Sequence, residues 1–437
     1  MLPGTEVLSR ARTKALFSEE QGRIAPGLQT IALLSELAVD HGRGCTLVDL
    51  DGNQYLDLNA GVSVASIGHA HPRYVEALTR QLQAVTVGSF TTRARASLTE
   101  LIARLAPGNL TRTQYFSGGA EAVEAAIKLA RSHTKKTDIV GFTGGFHGKT
   151  AGVLPISDVG WKHAVGPLPP GYHIAPYPDP TMFDGTPEEC LEFSINALRA
   201  LIEDKAADRL AAILVEPVQG TAGNIVPPAG FLARVQAVAH EFGALLIADE
   251  MITGFGRTGL LFGSNHDGVV PDIMTTGKGM AGGFPMSAVI STDEIVKAEP
   301  FSLPSASSSS YGGNPLASAA GLVTISTIVD ENLTEAARVR GAQSVDGLRR
   351  LAAKHGTIAN VRGRGLLVGF DFVRPGTTRS FLPKDPCIAF FKECVENGVI
   401  AMSYTPRVRI HPPLIISEAE VNQALEVFDA ALGRMQA

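Results

Sequence analysis

The stretch Pro271-Asp-Ile-Met-Thr-Thr-Gly277-Lys278-Gly-Met-Ala-Gly-Gly-Phe284 passes from apolar residues into a single lysine set among glycines. A short apolar run bounded by glycine reads as a buried strand ending in a turn. Two other stretches share this form: Ala244-Leu-Leu-Ile-Ala-Asp249-Glu250 and Ala211-Ala-Ile-Leu-Val-Glu216-Pro217 stay apolar until a final carboxylate. Three strands thus deliver Glu216, Asp249 and Lys278 at their carboxyl ends. Ligands of open parallel α/β sheets bind in the crevice outside those ends, so the three residues are expected to share one site.

From about 61 to 325 helical periodicity alternates with short apolar strands. Ala120 to His133 reads as helix, Asp138 to Phe142 and Leu210 to Val218 as strands, and Phe231 to Phe242 as helix. Such alternation predicts an α/β fold with a mostly parallel sheet covered on both faces. Upstream, Gly44 to Leu58 alternates around Asp51-Gly52, the pattern of a β-hairpin. Beyond about 330 come a long helix, a strand over Gly365 to Phe372, a helical stretch near Ile388 to Asn397 and a helix from Ser417. This is the pattern of a smaller α+β domain. The expected division is 61–325 for the large domain and 326–437 for the small one, with 1–60 contributing to the small one.

The length of 437 residues exceeds what one core serves. A net charge of −5 with 19% charged residues provides no basic field for nucleic acid or an anionic membrane, which favours small-molecule chemistry. Cys45, Cys190, Cys387 and Cys394 form no CxxC pair, which argues against a disulfide framework or a metal site and fits a reducing cytoplasm. The opening Met-Leu-Pro-Gly-Thr-Glu-Val lacks the basic and apolar regions of a leader, and no apolar run has transmembrane length. A cytoplasmic enzyme is expected.

Further motifs carry chemistry, each with a plainer alternative. Tyr115-Phe-Ser-Gly118-Gly119-Ala120-Glu121 opens a helix with small residues, which makes either a phosphate cradle or an ordinary helix entry. Gly144-Gly-Phe146-His147-Gly148-Lys149 places an aromatic and a histidine on a flexible loop; Phe146 either covers a flat ring or anchors the loop. Asp249 at a buried strand end needs a partner, either a ligand cation or Arg257 nearby. Arg407-Val-Arg409 offers guanidinium groups to a carboxylate or lies on a solvated edge strand. Ser302 to Ser310, the low-complexity patch before Tyr311-Gly-Gly-Asn-Pro315, reads as a linker into a helix. A lysine and an aspartate at the carboxyl ends of buried strands together suit pyridoxal 5'-phosphate: the amine forms a Schiff base and the acid keeps the pyridine nitrogen protonated.

Taken in order, Glu216-Pro-Val-Gln-Gly220, Ala248-Asp-Glu250, Gly254-Phe-Gly-Arg-Thr-Gly259, Gly277-Lys-Gly279, Gly282-Gly-Phe-Pro285 and Tyr311-Gly-Gly-Asn-Pro315 resemble the class III (ω-) aminotransferases, close to the 4-aminobutyrate and acetylornithine enzymes. The resemblance spans residue 44 to the C-terminus. It implies pyridoxal-phosphate fold type I, aspartate-aminotransferase-like, and a homodimer with shared sites. It further implies Lys278 as the Schiff-base lysine, Asp249 as the pyridinium partner and Gly119 with Ala120 as the phosphate turn. Phe146 matches the stacking aromatic, and Met251 and Glu216 fall in the cofactor-binding motifs. Ser310 matches the residue that reaches the neighbouring subunit's phosphate, and Arg409 the grip on the substrate's α-carboxylate.

Three departures bear on substrate. Lys149 stands where 4-aminobutyrate enzymes have an arginine for the distal carboxylate, Thr221 replaces the glutamate that pairs with the α-carboxylate arginine, and Ile252 replaces a glutamine that bonds the cofactor's phenolic oxygen. The resemblance implies a transaminase taking an amine donor and a keto acid acceptor. A racemase or a decarboxylating dialkylglycine enzyme on the same scaffold is the alternative.

Overall fold

The computed structural model describes residues 9–435; the opening stretch considered for a leader lies outside them. After helices Ala11–Gln21 and Thr30–Ser35 the chain forms an antiparallel meander of β1 (Val39–Arg43), β2 (Thr46–Asp49) and β3 (Gln54–Asp57). The expected Asp51-Gly52 turn joins β2 to β3. Asp49 Oδ1 accepts from the backbone N–H of Asp51 at 3.0 Å and of Asn53 at 2.9 Å, and Gly52 takes φ +88°, which glycine adopts without strain.

Seven strands follow: β4 (Arg112–Phe116), β5 (Asp138–Phe142), β6 (Tyr172–Ala175), β7 (Leu210–Val215), β8 (Leu245–Asp249), β9 (Ile273–Thr276) and β10 (Ser287–Ser291). They form one sheet in the order β4-β10-β9-β8-β7-β5-β6. From β9 to β6 the strands are parallel, while β10 runs antiparallel to β4 and β9. The apolar runs are continuous because both faces are covered. Along β7, Ile213 and Val215 join a core with Leu198 and Val235 of helices Pro187–Lys205 and Phe231–Glu241. Ala212 and Leu214 face the opposite core with Val123 and Ile127 of helix Gly119–Thr134. This alternation is the period-2 geometry of a strand.

The C-terminal part holds β11 (Ile358–Arg364), β12 (Leu367–Phe372), β13 (Val399–Ile400) and β14 (Arg407–Ile410), with helices Leu333–His355, Lys384–Glu396 and Glu418–Met435. β13 pairs in parallel with β3, and β12 pairs antiparallel with β11 and β14. Among the described residues, one compact unit takes in those up to Pro72 and from Glu335 onward; Arg73–Thr334 is the other. These units divide at 72/73 and 334/335, and the described residues of 1–60 fall with the C-terminal part.

Candidate active site

Strands β7, β8 and β9 are immediate parallel neighbours, with Val215 opposite Ala248 and Asp249 opposite Thr275. Glu216, Asp249 and Lys278 each lie at or just past a carboxyl end, so the sheet brings all three to one edge.

Asp249 is 1% exposed, and its partners are specific. Oδ2 meets His147 Nδ1 at 2.7 Å, while Oδ1 accepts from Met251 N–H at 3.1 Å and from Thr275 Oγ1 at 3.2 Å. Burial works against a charged His147, but the hydrogen bond and charge of Asp249, helped by Glu216, carry its pKa above the ordinary value; Lys278 lowers it in turn. The amine, the imidazole and both carboxylates therefore share one electrostatic neighbourhood. The sequence left His147 without a role, and the structure makes it the partner of Asp249. Ser157 Oγ accepts from His147 N–H at 3.0 Å and donates to Gly148 O at 2.9 Å, fixing the loop.

Glu216 is buried and bridges two loops, accepting from Phe146 N–H at 2.9 Å and Gly220 N–H at 3.1 Å. Burial pushes its pKa up. Glu250, next to Asp249, turns away to the 253–264 loop, where it accepts from Thr253 Oγ1, Gly263 N–H at 2.8 Å and Ser264 N–H at 2.7 Å. Lys278 is half-buried and holds φ +44°, a left-handed conformation that disfavours a side chain.

Helix Gly119–Thr134 starts at the same site. Glu121 Oε2 accepts from Ser117 N–H at 3.2 Å and Gly118 N–H at 2.6 Å, while the first-turn amides have no acceptor within the helix. With the positive end of the dipole, these amides suit a phosphate. Met251 packs against the turn: a Cβ on Gly119 would lie 3.3 Å from its sulfur, and one on Gly277 only 2.6 Å away. Gly148, at φ +132°, approaches Ala120 so closely that a Cβ would sit 2.6 Å from Ala120 Cβ. The Phe146–Gly148 loop thus rests on the helix start.

Phe146 is half-buried, and the exposed Lys149 sets its Nζ 6.0 Å from the ring centroid. Ser310 is exposed and, with Glu121, Glu124, Thr150 and Tyr311, lines a cavity of about 960 Å³. Asn314 Oδ1 caps helix Pro315–Asp330 by accepting from Ala317 N–H at 2.9 Å, so the serine patch does lead into a helix. Arg409 lies on β14 of the other unit, paired with Gly369. Among the described residues no group of three histidine, cysteine or acidic side chains is placed to hold a metal, and no helix is long and apolar enough to cross a membrane.

A buried carboxylate with an imidazole behind it, an amine beside it and free amides at a glycine-rich helix start fit a flat, nitrogen-bearing cofactor with a phosphate. These features lie at the carboxyl edge of an open α/β sheet. The chain matches the family model for aminotransferase class-III over residues 31–432 and belongs to that family. It is 36% identical to the acetylornithine aminotransferase of Methanothermobacter thermautotrophicus, across 90% of this chain and 92% of that one. Two solved structures share the fold type I architecture. An (S)-enantioselective ω-transaminase from Thermomicrobium roseum superposes with a TM-score of 0.90 at 31% identity, covering 99% of this chain and 100% of that one. An amine transaminase from an uncultivated Pseudomonas species in its PLP-bound form gives 0.88 at 29%, covering 94% and 98%. Pyridoxal-phosphate-dependent amino-group transfer follows from the family membership.

Proposed function

We propose that the protein transfers an amino group from an amine or ω-amino acid to an α-keto acid, 2-oxoglutarate or pyruvate, in two half-reactions with the first product released before the second substrate binds. The observation that carries this reading is the buried Asp249–His147 pair beside Lys278 at the ends of adjacent parallel strands. Bound there, pyridoxal phosphate supplies an electron-poor ring that accepts the electron pair of a substrate carbon–hydrogen bond.

Lys278 supplies the amine that tethers the cofactor and, once displaced, moves the proton to and from the substrate carbon. Asp249 holds a ring nitrogen protonated, and His147 keeps that carboxylate aligned. The first-turn amides at Gly119 and Ala120 take the phosphate. Phe146 would stack on the ring and Met251 would bind the cofactor beside the Gly119 turn, while Glu216 secures the loop through Phe146 N–H. Arg409 grips the α-carboxylate in bidentate fashion. Lys149 offers a weaker point-charge contact to a distal group, so 4-aminobutyrate is a poor donor.

Ser310 completes the phosphate site of a second copy, giving a homodimer with shared sites. The exposed apolar Val87, Phe90 and Tyr311 support such a partner surface. Four unbridged, buried cysteines support a cytoplasmic setting.

The test is a panel of amine donors given to the holoenzyme without keto acid. Release of about one equivalent of carbonyl product per site, with turnover resuming on addition of 2-oxoglutarate or pyruvate, is the expected result. Inversion of the donor's stereocentre without carbonyl product, or release of carbon dioxide, assigns the racemase or decarboxylating alternative instead.

A further inference from the structure

Backbone amides grip a phosphate best when their peptide planes are aligned before it arrives. In this chain the plane between Gly118 and Gly119 is held from the neighbouring strand. Because β10 runs antiparallel to β4 and β9, its first residue, Ser287, lies beside their carboxyl ends, opposite Phe116. Ser287 is fully buried, and its Oγ donates to Gly118 O at 2.8 Å. Gly118 O also accepts from Ala122 N–H at 3.3 Å, which opens helix Gly119–Thr134. A trans peptide is planar with its C=O and N–H pointing opposite ways, so the bonds that fix Gly118 O also fix the direction of Gly119 N–H. The same serine abuts the lysine turn, since a Cβ on Gly277 would lie 3.3 Å from Ser287 Cβ.

We propose that Ser287 is a positioning residue for the cofactor's phosphate, aiming the Gly119 amide through the Gly118–Gly119 peptide plane. This rests on the reading of the Gly119–Ala120 turn as the phosphate site. A hydroxyl donating to the carbonyl draws electron density toward it and makes the N–H across the same plane a better donor, as in other hydrogen-bonded chains. A plane fixed in advance also spares part of the ordering cost of binding. Neither effect acts on the cofactor's ring, so Ser287 matters for a phosphorylated ligand and not for its dephosphorylated form.

The test is cofactor binding to the full chain, freed of cofactor and titrated with pyridoxal 5'-phosphate or with pyridoxal, which lacks the phosphate. Native protein, Ser287→Ala and Gly119→Pro are compared. Ser287→Ala removes one buried oxygen and no backbone group. It is expected to raise the Kd for pyridoxal phosphate about three- to tenfold while that for pyridoxal stays within about twofold. An unchanged Kd for pyridoxal phosphate overturns the inference, and so does an equal rise for both ligands, which marks a general loosening of the fold. Gly119→Pro deletes the amide itself; Gly118 is extended, at φ −101° and ψ 146°, which a following proline accepts, and proline suits the first helical position. If Gly119→Pro leaves the preference for pyridoxal phosphate over pyridoxal intact, the phosphate lies elsewhere, and reading and inference fall together. If it lowers that preference while Ser287→Ala does not, the reading stands and the inference alone falls.

Discussion

His147 Nδ1 lies 2.7 Å from Asp249 Oδ2, and each side chain is 1% exposed. Removing one member of a buried charged pair leaves the other uncompensated, at a cost of about 3–5 kcal/mol. His147→Phe, which keeps a planar ring, is therefore expected to lower apoprotein stability by about that amount in urea unfolding. A loss below about 1 kcal/mol means that Asp249 does not depend on the imidazole. The pair also sets a pH dependence. Because the folded His147 pKa is raised, its stabilisation is complete below the unfolded value of about 6.5 and is lost as pH rises through the folded value. The stability gap between native protein and His147→Phe should narrow toward alkaline pH; a widening gap contradicts the assigned direction.

Lys278→Ala should abolish turnover while the far-ultraviolet circular dichroism stays native, since the side chain is half-buried and sits at a turn. Borohydride reduction of the native holoenzyme followed by peptide mapping should mark Lys278. Label on another lysine reassigns the tether.

Asp249→Asn keeps a side chain of the same size but removes the charge that we propose holds the ring nitrogen protonated. The rate should fall by several orders of magnitude, while the cofactor remains bound through the Gly119–Ala120 turn. Near-normal turnover would show that the ring nitrogen is held by another group.

Lys149 is exposed above Phe146, and Thr221 is exposed just past the Glu216–Gly220 bridge. Lys149→Arg combined with Thr221→Glu should raise kcat/KM for 4-aminobutyrate, because a planar guanidinium replaces a point charge and a switchable acid is restored. If 4-aminobutyrate is already the best donor of the unmodified enzyme, substrate choice does not lie at these positions.

The sheet was legible because β7 and β8 stay apolar almost to their ends, and the charged residues at or just past the ends of β7, β8 and β9 pointed to the edge where Glu216, Asp249 and Lys278 lie. β10, Ser287-Ala-Val-Ile-Ser291, is buried throughout, but its short run carries no sign of direction, so its antiparallel pairing was not read. His147 could not be assigned a role because its partner lies 102 residues along the chain and their meeting depends on loop geometry. Thr275 carried a weak signal, a threonine inside an apolar strand just before Gly277-Lys278.

The turn after β9 carries Lys278 between Gly277 and Gly279. Position 278 carries one side chain at φ +44°, at a backbone cost of about 1 kcal/mol, while a side chain at position 277 would require the Met251 sulfur, 2.6 Å from its Cβ, to move. A lysine moved to 277 in a Lys278→Ala background would have to displace Met251, so shifting the lysine one residue upstream should not restore turnover.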